Sequence, residues 1–395
     1  MREVKISQKI KDALKIVAIY TVRQLLKLLW IFPVKRRRIV FNSFTGKQYS
    51  DNPKYIFLDL YREYGNSIEY IWCRNQKDDE LLAQTNVKIV KFLTPAFLLS
   101  MITCGVYVTN CSVEPFIPKR KTQLYICTWH GGGAYKKLSH FYKKRMSFKI
   151  MSKTRSAMTD YYTSACKAFT EFVGPDWWAD NRKFLASGMP RNDILVRERN
   201  NVQLISTIKE RIGVQADKKI VLYAPTMRGW AVHPDSFDFM LDIDGLLSVL
   251  EERFGGEFVF VFRCHHVMLN KIQLSRHIID VSLYNDMQEL LLASDVLITD
   301  YSSSIWDYSL MSRPCFLFTP DLNDYEAYQS FYVPISEWPF PYAKTNEALA
   351  CLVRNFDYMA YLEKLRQHYD RLGSFENGTA VRAINKIIRE HMTIV

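Results

Sequence analysis

Polar and apolar positions follow one another along this chain in two rhythms. From Arg38 onward, short apolar runs recur between stretches of helical spacing. Ile39–Phe41, Ile68–Cys73, Val87–Phe92, Val106–Thr109 and Leu124–Thr128 read as strands, because brief, near-continuous apolar runs suit strands covered on both faces. Pro53 opens a helix that Tyr55–Tyr64 continues. The helical stretch Val202–Ile212 and the polar Gly213–Lys218 mark a boundary. The rhythm then repeats, with strands at Ile220–Ala224, Phe258–Phe262, Ile278–Val281, Val296–Ile298 and Cys315–Phe318. Two α/β halves joined mid-chain predict two Rossmann-like domains facing a cleft, over 38–200 and 201–375. The final helix, Ala380–His391 within 376–395, is a candidate to pack back on the first domain.

Residues 1–37 follow a different rhythm. Ile6, Ile10, Leu14, Val17, Leu25 and Leu29 recur at helical intervals, with Lys5, Lys9, Lys11, Lys15, Arg23 and Lys27 among them. Leu14–Phe32 is apolar enough to resemble a membrane span, but Lys15, Arg23 and Lys27 would each cost ~2.5–3.5 kcal/mol near the bilayer centre. The pattern predicts an amphipathic helix lying on an anionic membrane surface, followed by the basic cluster Lys35–Arg38. A helix packed on its own protein is the alternative.

Charge sharpens this picture. The net charge is +12, and residues 1–40 hold 11 Lys and Arg against 2 acidic residues. Such localisation points to a partner surface for the N-terminal segment and away from nucleic acid. The basic, aromatic stretch from Tyr135 to Lys153 reads equally as a second membrane-facing surface or as a solvated helix with an apolar inner face. Eight scattered cysteines without a Cys-x-x-Cys pair fit free thiols in a reducing compartment. No small-residue cleavage site follows the first apolar region, so a cleavable signal peptide is not expected.

Candidate chemistry gathers at five strand ends, the edge where open parallel sheets bind ligands. In Thr128-Trp-His-Gly-Gly-Gly133, His130 is a candidate general base, and Gly131, Gly132 and Gly133 let backbone approach a ligand closely. Arg191 in Pro190-Arg-Asn-Asp193 is either a phosphate fork or part of a Pro-initiated turn. Thr226 and Arg228 offer polar contacts after the Ile220–Ala224 strand. Arg263, His265 and His266 could form an anion site; zinc lacks further ligands at a matching spacing. Ser302, Ser303 and Ser304 crowd hydroxyls at a helix start, where free N–H groups favour anions or simply cap the helix. Gly-x-Ser-x-Gly, the P-loop and Gly-x-Gly-x-x-Gly are all missing, which argues against a serine hydrolase, a P-loop NTPase and a dinucleotide oxidoreductase.

Taken in order, these segments resemble the CDP-glycerol glycerophosphotransferase family of wall teichoic acid primases and polymerases. The matching pieces are Phe41-Asn-Ser-Phe44 with Ser50-Asp-Asn-Pro-Lys54, Thr128-Trp-His-Gly131, Gly188-Met-Pro-Arg-Asn-Asp193, Leu222-Tyr-Ala-Pro-Thr226 with Arg228, Arg263-Cys-His265, and Ile298-Thr-Asp-Tyr-Ser-Ser303 with Asp307-Tyr308. Asp321–Tyr332 fits the family's acidic-aromatic segment. Two departures stand out: Gly132-Gly133 where the family often has Thr-Pro, and Met227 where it usually has an aromatic residue.

The resemblance implies an α/β, GT-B-like fold and transfer of an alditol phosphate, from CDP-glycerol or CDP-ribitol, to a lipid-linked acceptor with release of CMP. It implies a peripheral enzyme at the cytoplasmic face of the plasma membrane. No cofactor is required; a divalent metal is compatible but not indicated. It makes His130 the base on the acceptor hydroxyl and gives His265 the pyrophosphate and the CMP leaving group. Arg191, Arg228, Arg263, Ser302 and Ser303 would hold phosphates. Asp307 would help seat the donor, Pro225 and Thr226 would line the nucleotide pocket, and Trp129 and Cys264, next to the two histidines, would contact substrate. A glycosyltransferase using a nucleotide sugar and a non-catalytic membrane scaffold are the competing functions.

Overall fold

Strands that pair in parallel need crossover connections, and these cover both faces of the sheet. That is why the strands here read as continuous apolar runs. The computed structural model describes residues 2–76, 85–137, 145–226, 241–264 and 278–393. They divide into two units, one of residues 1–130, 138–193 and 375–395, the other of residues 131–137 and 194–374. The divisions fall at Asp193 and Ser374 rather than at 200 and 375, and the segment Gly131–Lys137 joins the second unit. Asp193 explains the first shift: its carboxylate accepts from the N–H groups of Ala380 and Val381 at 3.0 and 2.9 Å, tying the start of the helix Ala380–Thr393 into the first unit.

Among its described residues the first unit holds seven strands: β1 Lys35–Asn42, β2 Glu69–Cys73, β3 Lys88–Val90, β4 Cys104–Thr109, β5 Leu124–Cys127, β6 Tyr161–Thr163 and β7 Phe184–Leu185. Their order is β3-β2-β1-β4-β5-β6-β7, all parallel. Side chains alternate across the sheet. Ile39, Phe41 and Trp72 face a core completed by Phe57, Ile384 and Ile388, so the helix Ala380–Thr393 belongs to this unit's interior. Val40, Ile71 and Tyr107 face the other side, with Phe97 and Met101. The helix Asp51–Tyr64 ends at Gly65, whose φ of +50° a residue with a Cβ adopts only under strain.

The N-terminal helix, Arg2–Leu26, turns Asp12 and Arg23 inward while Lys9, Lys11 and Lys15 stay exposed. Asp12 is buried and pairs with Arg145 at 2.8 Å. Arg23 donates to the carbonyls of Pro115 and Ile117 at 2.8 and 3.2 Å, and the hydroxyls of Tyr20 and Thr154 meet at 2.8 Å. Residues two apart lie ~200° apart around a helix, so the face opposite Asp12 carries Ile10 and Leu14. Leu14 and Val17 are 64% and 62% exposed, and Leu28 and Ile31 beyond the helix are also exposed. Among the described residues, no helix is long and apolar enough to cross a membrane. The basic stretch after Tyr135 lies partly outside the described residues. Its described part, Met146–Met158, is a helix that buries Met151 and Met158.

Among its described residues the second unit holds six strands: β8 Lys219–Tyr223, β9 Phe258–Phe262, β10 Ile279–Asp280, β11 Val296–Thr299, β12 Cys315–Phe318 and β13 Tyr342–Ala343. Their order is β10-β9-β8-β11-β12-β13, again all parallel. Gly131–Lys137 is held here by a bridge from Lys136 to Phe331 and by the Lys137 N–H donating to Ser330. All eight cysteines are free thiols, six of them buried.

Candidate active site

In a sheet of this order, ligands bind where the strand order reverses, outside the carboxyl ends of the strands. The reversal falls between β1 and β4 in the first unit, and between β8 and β11 in the second.

At the first reversal, three asparagines organise the loops. Asn42 ends β1, and its Oδ1 accepts the Gly46 N–H at 2.9 Å. Asn110 follows β4 and accepts the Phe44 N–H at 2.8 Å. The Asn110 carbonyl also lies 2.8 Å from Nδ1 of His130, just beyond β5. A carbonyl only accepts, so Nδ1 carries the proton, and the lone pair of a neutral ring sits on Nε2. The imidazole is fixed from two sides by aromatic rings, Trp129 stacked at 4.1 Å and Phe44 tilted at 5.3 Å. An oriented imidazole with a basic Nε2 can take a proton from a hydroxyl.

Trp129 adopts φ of +54°, an outlier for a bulky residue, and its surroundings hold it there. Its carbonyl accepts from Nδ2 of Asn52 at 2.9 Å, and Oδ1 of the same Asn52 accepts the Arg191 N–H at 2.9 Å. Asn52, fully buried, thereby joins two of the sequence-predicted residues. The Arg191 side chain is buried and paired with Asp51 at 3.1 Å. The charge expected to serve as a phosphate fork thus has a carboxylate partner inside the unit. Asp51 and Asn52 lie in the quoted Ser50-Asp-Asn-Pro-Lys54 segment, yet sequence reasoning gave them no role. The signal was there, in polar residues opening a helix that is otherwise packed on a core.

At the second reversal, the Thr226 N–H donates to both carboxylate oxygens of the buried Asp300 at 2.9 Å. The Thr299 hydroxyl donates to the Ala224 carbonyl at 2.6 Å, locking the ends of β8 and β11 together. Pro225 and Thr226 are half-buried at this edge. The three serines separate by role. Ser302 Oγ accepts from the Ser304 N–H at 3.3 Å and from the Ser304 hydroxyl at 2.9 Å, so Ser302, one position before the N-cap Ser303, takes the first N–H of the helix. Ser303 makes no side-chain cap bond.

Arg263, past β9, donates to the Tyr284 carbonyl at 3.2 Å. Burial pushes its guanidinium down to about 10, against Asp286, so it stays charged at neutral pH. Cys264 and Asp307 point elsewhere. The Cys264 thiol is buried beside Ser282, whose hydroxyl donates to it at 3.4 Å, and burial raises its pKa. Asp307 is buried and accepts from Nε2 of Gln288 at 3.0 Å, an anchor between two helices rather than a wall of an open site. Arg228 and His265 lie outside the described residues.

Gly132 and Gly133 run across the buried indole of Trp306, where a Cβ on Gly133 would come within 2.8 Å of Cε3. Gly133 also has φ of +72°. The structure therefore brings Trp129, His130 and Arg191 together in the first unit. It places Gly132, Gly133, Pro225, Thr226, Arg263, Ser302 and Ser303 in the second, with Gly131 opening the segment that joins it.

Two parallel sheets of this order define a GT-B-like scaffold, the class of fold on which many group transfers run. Within it, the chain belongs to the CDP-glycerol:poly(glycerophosphate) glycerophosphotransferase family, which it matches over residues 24–390. It is 34% identical over 371 residues to a teichoic acid poly(glycerol phosphate) polymerase of Staphylococcus epidermidis, covering 90% of this chain but 51% of that one. The chain thus spans about half the length of that relative. It is 29% identical to a teichoic acid glycerol-phosphate transferase of Staphylococcus aureus, covering 96% and 99% of the two chains. A solved structure of the wall teichoic acid polymerase TagF, a variant soaked with CDPG, superposes with a TM-score of 0.83 at 31% identity, covering 99% and 98%.

Proposed function

We propose that this chain transfers glycerol phosphate from CDP-glycerol to a hydroxyl of a membrane-linked acceptor and releases CMP, in the synthesis of teichoic acid or a related cell-surface polymer. One observation carries the reading: the 2.8 Å contact of His130 Nδ1 with the Asn110 carbonyl, which assigns the basic lone pair to Nε2. The acceptor oxygen attacks the phosphorus that bears glycerol, and its proton passes to Nε2. The bond from that phosphorus to the CMP oxygen breaks, and CMP leaves with the electron pair. Phosphoryl transfer is mostly positioning and charge stabilisation, so fixed donors and cations suffice around such a base.

Ser303 and Arg263 would donate to the donor's phosphates, beside the strand ends that Asp300 locks. Arg228 and His265 take phosphate and leaving-group roles by their place in the family motifs. Arg191, Asp51 and Asn52 would act as positioning residues beneath Trp129. The names of the relatives and the TagF structure soaked with CDPG support a CDP-glycerol donor. The outward apolar face of the helix Arg2–Leu26 supports peripheral attachment to a membrane, on its cytoplasmic face, where a lipid-linked acceptor is within reach.

The test is His130→Asn, assayed by CMP release from CDP-glycerol with a lipid-linked acceptor. Loss of a general base lowers turnover by about 100- to 10,000-fold while calorimetric binding of CDP-glycerol persists. Full turnover by the variant would remove His130 from the mechanism.

A further inference from the structure

Beside Trp129 the first unit contains a cavity of about 190 Å³, walled by Trp129, Trp177, Tyr162 and Phe148 and floored by Ser152 and Arg155. A second cavity of about 260 Å³ is lined by Lys15, Arg145, Ser147, Phe148, Met151 and Arg155. Phe148 and Arg155 line both, so the two adjoin. One end of this track abuts the residue stacked on His130. The other reaches Lys15, whose helix neighbour Leu14 stands exposed.

The chemistry changes along the track. The first cavity is aromatic with hydroxyls, a lining that packs the C–H faces of a sugar or polyol and bonds its hydroxyl groups. The second is cationic. Nε of Arg155 donates to the Val113 carbonyl at 3.3 Å, while its two Nη groups make no hydrogen bond among the described residues. Burial lowers the Arg155 pKa and Glu114 raises it. Glu114, itself pushed up to about 7 by burial, offers only part of a counter-charge near neutrality. A half-desolvated guanidinium with open donors gains most from a phosphate oxygen. Lys15 likewise has no ion-pair partner among the described residues. Arg145 already holds Asp12 and adds charge at the rim.

We propose that this track is the acceptor site: the aromatic cavity takes the sugar or polyol unit that presents its hydroxyl to His130, and Lys15 and Arg155 grip the phosphate joining that unit to its lipid. The assignment rests on the transfer reading above and adds the residues that would choose the acceptor.

The probe is a water-soluble acceptor analogue, a disaccharide joined through a diphosphate to a short alkyl chain. Arg155→Ala raises its KM and its calorimetric Kd by about tenfold or more, the cost of losing a charge-assisted hydrogen bond. The KM for CDP-glycerol does not follow, and Arg155→Lys recovers part of the loss. Lys15→Ala, on an exposed side chain, repeats the effect in a smaller degree and guards against misfolding of the first variant. Equal losses for donor and acceptor, or an unmoved analogue Kd, overturn the proposal. So does a Lys15→Ala defect seen only in binding to anionic vesicles, which would assign that cavity to membrane headgroups. Because the Kd is measured without donor, wild-type protein that binds the analogue yet never releases CMP would sink the transfer reading alone.

Discussion

A Cβ on Gly132 would sit 2.5 Å from Cδ1 of Trp306. Trp306 is fully buried, with its own rings packed on Tyr369 at 5.2 Å and Tyr135 at 6.5 Å, so it cannot move aside cheaply. Gly132→Ala therefore overpacks the second unit and costs about 1–3 kcal/mol. Thermal denaturation will read this as a lower Tm. Pairing it with Trp306→Leu, which opens the space, should leave a double mutant less destabilised than the sum of the two single changes. Strict additivity would show that the glycine is not there for the indole.

The buried pair of Arg191 and Asp51 makes a second prediction. Asp51→Asn leaves a guanidinium charged and unmatched, and breaking such pairs costs about 3–5 kcal/mol. Urea unfolding of the first unit checks this. Arg191→Met together with Asp51→Asn should recover most of the stability, since Asn tolerates the φ of +62° at position 51. If the single variant unfolds like wild type, the pair is not structural, and Arg191 returns to consideration as a phosphate ligand.

One buried group in each unit should couple stability to acid, with opposite signs. In the second, burial and then Arg371 push His368 down to about 3 from its ordinary 6.5. Arg371 only donates, so Nδ1 of His368 accepts at 3.2 Å and the proton sits on Nε2, 2.9 Å from the Tyr135 hydroxyl. Between those pH values the unfolded chain binds the extra proton, so stability is full above about 6.5 and drains as pH falls, by at most ~1.4 kcal/mol per unit. In the first unit, burial pushes Glu114 up to about 7 from 4.5. There the folded state holds the extra proton, so its contribution is present at low pH and is lost as pH rises through 7. Melting curves of His368→Gln and Glu114→Gln should each flatten one slope. A His368→Gln variant with an unchanged acid limb would refute the assignment.

Vesicle binding tests the outward face of the N-terminal helix. Leu14→Glu and Val17→Glu change exposed side chains, so stability should shift by no more than about 0.5 kcal/mol. Each should weaken partitioning onto anionic vesicles by about tenfold, the scale of withdrawing one large apolar side chain from a lipid interface. Unaltered partitioning by both variants would end the membrane reading.

Much of this was legible in the sequence, for physical reasons. Buried parallel strands such as Phe258–Phe262 announce themselves as apolar runs, and the motifs at their ends kept their order. β6, β7 and β13 escaped because their two or three residues, unlike those of β3 and β10, do not sit within a longer apolar run. The pairing of Arg191 with Asp51 escaped because its partners are 140 positions apart. The glycines after His130 read as backbone that can approach a ligand closely; at Gly132 and Gly133 the structure adds a second reason, clearance for Trp306. The N-terminal stripe was visible, but that its charged residues would do the docking was not. Asp12 and Arg23 look like solvated charges until their partners are seen.

The first unit is interrupted by the second, and this has a consequence for how the chain comes to fold. Ile384, Ile388 and Met392 complete the core behind Phe41 and Trp72, yet they follow the whole second unit in the chain. A ribosome delivers β1 to β7 long before this helix. Until it arrives, the nascent first sheet shows water an apolar face that the helix Asp51–Tyr64 covers only in part, an invitation to aggregation or chaperone capture. The second unit has no such wait, beyond the short segment after His130 that it takes from upstream. The order of maturation should therefore invert the order of synthesis: the later unit settles first, and the earlier one, with His130, is sealed last.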